Sequence, residues 1–141
     1  TAQPVAGART EDGTALLDTR RALLRGDLPK PLLAGTNTTL GVVATDAVLT
    51  KVQANRLANV AHDGLARAIN PVHTMSDGDT LFALATGRVP LEGSAPGMTV
   101  LSTMAAEAVA IATLRAAHAA RSVTVGELHI PCAADLATPR G

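Results

Sequence analysis

A threonine at the head of a strand becomes a catalyst when the chain is cut in front of it. Residues 35–39 read GTNTT, where a Gly- and Pro-punctuated stretch (DLPKPLLAGTN, 27–37) meets a β-branched, apolar one (TTLGVVATD, 38–46). A cut between Asn37 and Thr38 would give Thr38 a free α-amine, with a pKa of about 7.7–8.0 in peptides, within reach of its own hydroxyl. That amine can serve as the general base that activates the hydroxyl, the N-terminal-threonine form of nucleophile-plus-base catalysis. Such assistance contributes roughly 10²–10⁴-fold. Before the cut, the same hydroxyl can attack the Asn37 carbonyl and produce the cleavage itself. The competing reading is that Thr38 and Thr39 are ordinary strand-start residues.

The second constellation is Asp77-Gly78-Asp79, directly before another apolar run. Two carboxylates flanking a glycine could orient a nucleophile's hydroxyl or hold a protonated α-amine. Asp-Gly is also a common turn dipeptide, so a simple turn stands beside the catalytic role. A calcium loop is excluded, because the ladder of oxygen ligands does not continue on either side. His62, His73, His118 and His129 lack the spacing of metal ligands, so no metal or other cofactor is expected. His62 and Asp63 fall on a predicted helix and His73 in the loop before Asp77; pocket-lining, solvated and capping roles are all open to them.

The elements that must position these residues follow from the pattern. Residues 1–13 read as loop, and a short helix is expected over 14–25, with Gly26 as its stop. Residues 27–37 read as a linker. Residues 38–46 have the nearly continuous apolar character of a strand buried on both faces. Thr50 and Gln53 have the spacing of a capping box. After it, Val52, Leu57, Val60, Ala61, Leu65, Ala68 and Ile69 recur at helical spacing until Pro71 ends the run. A second strand is expected over 80–86, closed by Gly87, then a loop over 88–98. A long Ala-rich helix follows over about 99–121, presenting Met104, Ala108, Ile111 and Ala112 on one face. The segment after Ser122 has strand-like character without a clear pattern. The result is an α/β chain with a β-α-β-α unit, short of strands to stand alone.

Composition narrows the function classes. The hydrophobic fraction of 47% suffices for a core, but with no Trp, no Tyr and the single Phe82, small aliphatic residues must build it. Aromatic side chains normally carry much of a core's buried area, so completion of this core by another polypeptide is expected. Twelve basic and twelve acidic side chains balance, and without a basic stripe or aromatic platform nucleic acid is not an expected partner. No apolar run approaches the roughly 20 residues that span a bilayer, so no membrane partner is expected. The lone Cys132 fits a reducing, cytoplasmic setting. The chain begins with Thr1 and reads as a piece of something longer.

Residues 37–87 as a whole resemble the start of the catalytic chain in the L-aminopeptidase/D-esterase family of self-cleaving hydrolases. That family includes β-peptidyl aminopeptidases, nylon-oligomer hydrolases and pantetheine hydrolase. The resemblance is carried by an ordered set: Asn-Thr before a β-branched strand, HDG at 62–64, and PVHTMSDGDTLFA at 71–83. It extends more loosely through the helix over 99–121.

The resemblance implies a precursor that cleaves itself before a Ser or Thr and forms a four-layer αββα sandwich from the two resulting chains. Residues 1–37 would then be the tail of the first (alpha) chain and 38–141 the catalytic (beta) chain. It further implies Thr38 as nucleophile, cleavage between Asn37 and Thr38, and Asp77 and Asp79 as acidic residues of the site. The nylon-oligomer branch has acidic residues at both of these positions, whereas other branches have Ser at the first and Glu at the second. Asn-Thr at the junction points to the nylon-oligomer and pantetheine hydrolase branches, hence to an amide in a small molecule or a peptide as substrate. Oxyanion-hole residues, including a lysine and an asparagine, would come from the upstream alpha chain, and alpha-beta units would assemble into a homo-oligomer.

Two other functions compete with amide hydrolysis. One is acyl transfer by a self-cleaving Thr enzyme, as in an arginine-biosynthesis acetyltransferase family whose junction motif differs from this one. The other is a non-catalytic interaction module in which Thr38 is inert.

Overall fold

A computed structural model describes residues 4–27 and 38–137. The order of elements is α1 (Thr19–Leu24), β1 (Leu40–Ala47), α2 (Lys51–Ala68), β2 (Thr80–Val89), α3 (Ala95–Ala119), β3 (Val123–Val125), β4 (Leu128–Ile130) and α4 (Ala133–Ala137). Among the described residues, 38–113 form one compact unit and 4–27 with 114–137 the other. Most of the expected linker, 28–37, and Asn37 with it, lies outside the described residues.

The 38–113 unit is mixed α/β. β1 and β2 pair in parallel, Leu40 opposite Thr80 through Thr45 opposite Ala85. Parallel neighbours need a crossover rather than a hairpin, and α2 supplies it. The α2 start is fixed by a complete capping box: Thr50 Oγ1 accepts the Gln53 N–H, and Gln53 Oε1 accepts the Thr50 N–H. α2 ends at Ala68, with Ile69 as its extended C-cap and Pro71 two residues beyond. Leu57, Ala61 and Leu65, at intervals of four, are fully buried and meet Leu81 of β2 and Ala105 of α3.

The second strand is longer than its pattern predicts. Between the pairs Thr45–Ala85 and Ala47–Val89, β1 advances two residues and β2 four, so β2 bulges. Gly87, read as the end of the strand, lies in that bulge at a φ of +68°, a conformation glycine adopts without steric cost. β1 was also expected to be covered on both faces, and here the structure differs. Gly41, Val43, Thr45 and Ala47 face the helices, whereas Leu40 and Val42 are 71% and 66% exposed. Phe82 and Leu84 continue that bare face on β2, since no layer covers it among the described residues.

α3 begins at Ala95, four residues before its expected start, because Pro96 is tolerated in a first helical turn. Its buried face is also not the expected one. Leu101, Ser102, Ala105, Ala106 and Val109 pack inward, while Met104 and Ile111 are exposed. The cause is Gly64 on α2: a Cβ there would lie 2.3 Å from the Ala106 carbonyl oxygen and 2.7 Å from Val109 Cβ. Gly64, Ala105 and Ala106 are all buried. The 25-residue α3 is, by length and composition, apolar enough to cross a membrane, although Glu107 and Arg115 interrupt its apolar run. Alanines, valines and leucines carry its apolar character on both sides of Glu107, and length and composition are all that this observation covers. Arg67 on α2 pairs with Glu107 at 2.6 Å, a half-exposed contact worth at most about 1 kcal/mol.

In the other unit, the Asp18 carboxylate accepts the Arg21 N–H at 3.0 Å and starts α1 four to five residues later than expected. Leu16 instead bridges to Arg9. The segment after Ser122 is an antiparallel hairpin of β3 and β4, turned by Gly126-Glu127 with a positive φ at the glycine, a two-residue connection of the type that starts with Gly.

The contact at Gly64 makes a quantitative expectation. Replacing Gly by Ala in a helix gains about 1 kcal/mol of intrinsic propensity, but overpacking against a helix backbone costs roughly 1–3 kcal/mol or more. Gly64→Ala is therefore expected to lower the stability of the full-length protein, read as a lower midpoint of chemical denaturation. An unchanged or raised midpoint would mean that the α2–α3 contact is looser than described.

Candidate active site

The site follows from the parallel pairing. Strands that run in the same direction bring their N-terminal ends together, and the register that sets Leu40 opposite Thr80 sets Thr39 beside Asp79 and Thr38 beside Gly78. The hydrogen bonds agree: the Thr39 N–H donates to Asp79 Oδ1 at 2.9 Å, and the Thr80 N–H donates to the Thr39 carbonyl at 2.9 Å. Thr38 is exposed, while Thr39, Asp77 and Asp79 are half-buried. The structure thus brings Thr38 and Thr39 beside Gly78 and Asp79 from opposite ends of α2, forty residues apart in the case of the Thr39–Asp79 bond, whereas the bonds of Asp77 stay within its own loop.

The two carboxylates do different things. Asp79 holds the backbone of the residue after Thr38, a charge-assisted bond of the stronger kind. Asp77 shapes its own loop: its Oδ2 accepts the Thr74 N–H at 2.7 Å, and its N–H donates to the Thr74 carbonyl at 3.1 Å. The Ser76 N–H donates to Thr74 Oγ1 at 3.3 Å, which tightens the same turn. Gly78 lies against the hydroxyl of Thr38, with room for no side chain between them: a Cβ added there would stand 2.7 Å from Thr38 Oγ1.

Two features escape the sequence reading. His62 on α2 and His73 in the loop lie with Nδ1 and Nε2 3.1 Å apart, their rings tilted at 59°. One ring must donate and the other accept, so the pair fastens the loop that carries Asp77 to the helix before it. His73 sits at a φ of +55°, and an eleven-residue separation across a helix end follows no spacing rule. The second feature is the role of Gly78, which a turn dipeptide conceals. Among the described residues, no group of three or more His, Cys, Asp or Glu side chains could hold a metal ion.

A separate polar cluster occupies the other unit. Ser122 Oγ donates to the Asp135 carboxylate and accepts the Cys132 N–H at 2.9 Å. The Ser122 hydroxyl holds the Asp135 carboxyl below its ordinary pKa range. The cluster joins the segment after β4 to Ser122, just before β3.

A Mycobacterium tuberculosis protein named as an uncharacterized aminopeptidase is 44% identical over 104 residues, which are 74% of this chain and 30% of that protein. A Mycobacterium leprae protein of similar name is 56% identical over 66 residues, 47% of this chain and 18% of that protein. A 6-aminohexanoate-oligomer endohydrolase from Kocuria sp. is 38% identical over 98 residues, 64% of this chain and 27% of the enzyme. The chain thus spans less than a third of the length of these relatives. The family model that matches covers residues 4–130, including all four strands, the junction threonines and the Asp-Gly-Asp turn. With the relatives named for aminopeptidase and nylon-oligomer hydrolysis, that match makes the chain a member of peptidase family S58, the family its motifs resemble.

Proposed function

We propose that the full-length protein is a self-processing amide hydrolase in which Thr38 is the nucleophile. The observation that carries this reading is the in-register pairing of the threonine junction with the Asp-Gly-Asp turn, held by the bond from the Thr39 N–H to Asp79. In the precursor, Thr38 Oγ attacks the Asn37 carbonyl carbon. The Asn37–Thr38 C–N bond breaks, the Thr38 nitrogen takes up the proton, and the resulting ester is hydrolysed by water. The freed α-amine then serves as base for the hydroxyl in attack on a substrate amide. The acyl group passes to Thr38 Oγ, the leaving amine takes the proton, and water releases the acid.

In this scheme Asp79 acts through the backbone beside the nucleophile and Asp77 through the loop that presents both. The relatives' names support an amide in a small molecule or a peptide as substrate, 6-aminohexanoate oligomers being one such class. An upstream chain of the same precursor would supply the oxyanion donors and a second sheet, completing a four-layer αββα sandwich. The bare apolar face of Leu40, Val42, Phe82 and Leu84, and the greater length of the relatives, support that part. Assembly of such units into a homo-oligomer is consistent with the exposed Met104 and Ile111 of α3, and a cytoplasmic setting with the single Cys132.

Two expectations test the proposal. Expressed with its upstream partner and followed by intact mass and N-terminal sequencing, the protein should yield a species that begins at Thr38, absent from Thr38→Ala. A folded pair that stays whole would remove the mechanism. Asp79→Ala, which deletes the acceptor of the Thr39 N–H, should slow cleavage by about 10²-fold, the scale of a misplaced reacting group. Asp79→Asn keeps an acceptor oxygen and should lose only about tenfold, about 1.4 kcal/mol of barrier. Equal losses in the two variants would assign the effect to the charge of Asp79 rather than to its backbone bond.

A further inference from the structure

Gly78 separates the two carboxylates, and the space above its α-carbon is occupied by the oxygen of Thr38. A Cβ at position 78 would stand 2.7 Å from Thr38 Oγ1, but 3.7 Å from Thr38 Cβ and 3.8 Å from Cγ2. The conflict is therefore with the hydroxyl alone; the rest of the threonine would be in ordinary van der Waals contact. Gly78 is not among the residues with a positive φ, so its backbone has no need of glycine. The contrast with Gly64 is instructive. There an added Cβ meets the backbone of a neighbouring helix, which cannot yield without cost to the fold. At Gly78 it meets the end of a side chain that can turn away about one bond.

We infer that Gly78 is a positioning residue, a clearance that lets the Thr38 hydroxyl rest in one rotamer against the strand that carries Asp77 and Asp79. It rests on the nucleophile role of Thr38 proposed above. The three substituents of the Thr38 β-carbon are a hydroxyl, a methyl and a hydrogen. With a methyl group at position 78, neither the hydroxyl nor the larger methyl fits the slot, and only the hydrogen can face it. A staggered step of 120° then carries the oxygen roughly 2 Å from its place. Nucleophilic attack needs the reacting atoms about 3–3.5 Å apart and aligned, and a 1 Å misplacement can cost about 10²-fold. The loss should thus fall on chemistry, with the strand pairing intact.

The test uses the full-length precursor and three variants: Gly78→Ala, Thr38→Ser, and both together. Self-cleavage is timed by intact mass, the thermal midpoint is recorded, and amide hydrogen exchange reports the Thr39 N–H bond to Asp79. Gly78→Ala is expected to slow cleavage at least about 10²-fold while the midpoint and the protection of the Thr39 amide stay as in the wild type. Thr38→Ser alone sets the reference rate against which the double variant is read. In the double variant serine lacks the methyl but still has no room for its oxygen, so the rate should remain as slow as in Gly78→Ala.

Cleavage by Gly78→Ala within about tenfold of the wild type, a difference of about 1.4 kcal/mol in barrier, would overturn the inference and leave the nucleophile role standing. Recovery in the double variant would overturn it too, by assigning the obstruction to the methyl group. Loss of Thr39 protection or a lowered midpoint in Gly78→Ala would make Gly78 a folding residue instead. A wild-type precursor that never cleaves at Thr38 would overturn the nucleophile role and this inference with it.

Discussion

Parallel pairing of β1 with β2 is the constraint on which the rest of this unit depends. A hairpin would have put the start of one strand beside the end of the other, leaving Thr38 and the Asp-Gly-Asp turn at opposite ends of the sheet. Joining two parallel strands requires a return path along the full length of the sheet, and the eighteen residues of α2 provide it. The same crossover delivers Leu57, Ala61 and Leu65 to one face of the sheet. Core and site are thus products of one topological decision. The bonds from Thr39 to Asp79 and from Thr80 to Thr39 extend the strand ladder one step beyond its regular end, which is where a side-chain oxygen can be held at a fixed height above the sheet.

Small residues do in this chain what aromatic ones do in many others. With one phenylalanine and no larger ring, close approach replaces bulk. Gly64 against Ala106 and Val109 brings α3 down onto α2, and Gly78 against Thr38 brings the turn onto the junction. Both contacts tolerate almost no added volume, the first in the buried core and the second beside the exposed Thr38. They differ in what would yield: a helix backbone in one case, a hydroxyl rotamer in the other.

Much of this was legible in the residues. Thr50 and Gln53 announced the start of α2, and the recurrence of Val52, Leu57, Val60, Ala61, Leu65, Ala68 and Ile69 its buried face, from which only Val52 and Ala68 depart as exposed residues. What the sequence hid has physical causes. α3 is apolar around most of its circumference, so periodicity could not choose between the face of Met104 and the face of Ala105; the nearness of Gly64 made that choice. Gly87 looked like a terminator because a left-handed glycine serves equally in a turn and in a bulge. The division of labour between Asp77 and Asp79 depends on which oxygen meets which N–H, and the meeting of His62 with His73 on a loop that closes back over a helix end. Neither is encoded in spacing.

The bare face of the sheet bears on how the molecule comes into being. Leu40, Val42, Phe82 and Leu84 stand together on one side of a two-stranded sheet. Among the described residues the outer edges of both strands also lack a neighbour. A surface that is apolar on its face and unpaired along its edges is a template for adding strands, and it does not distinguish a proper partner from another nascent copy of itself. In the precursor proposed above, protection would come from timing. An upstream segment made on the same ribosome, and already folded when residues 40–89 emerge, would meet this surface at an effective concentration that no free competitor matches. Covalent continuity across residues 37 and 38 during synthesis would therefore serve proteostasis as well as chemistry.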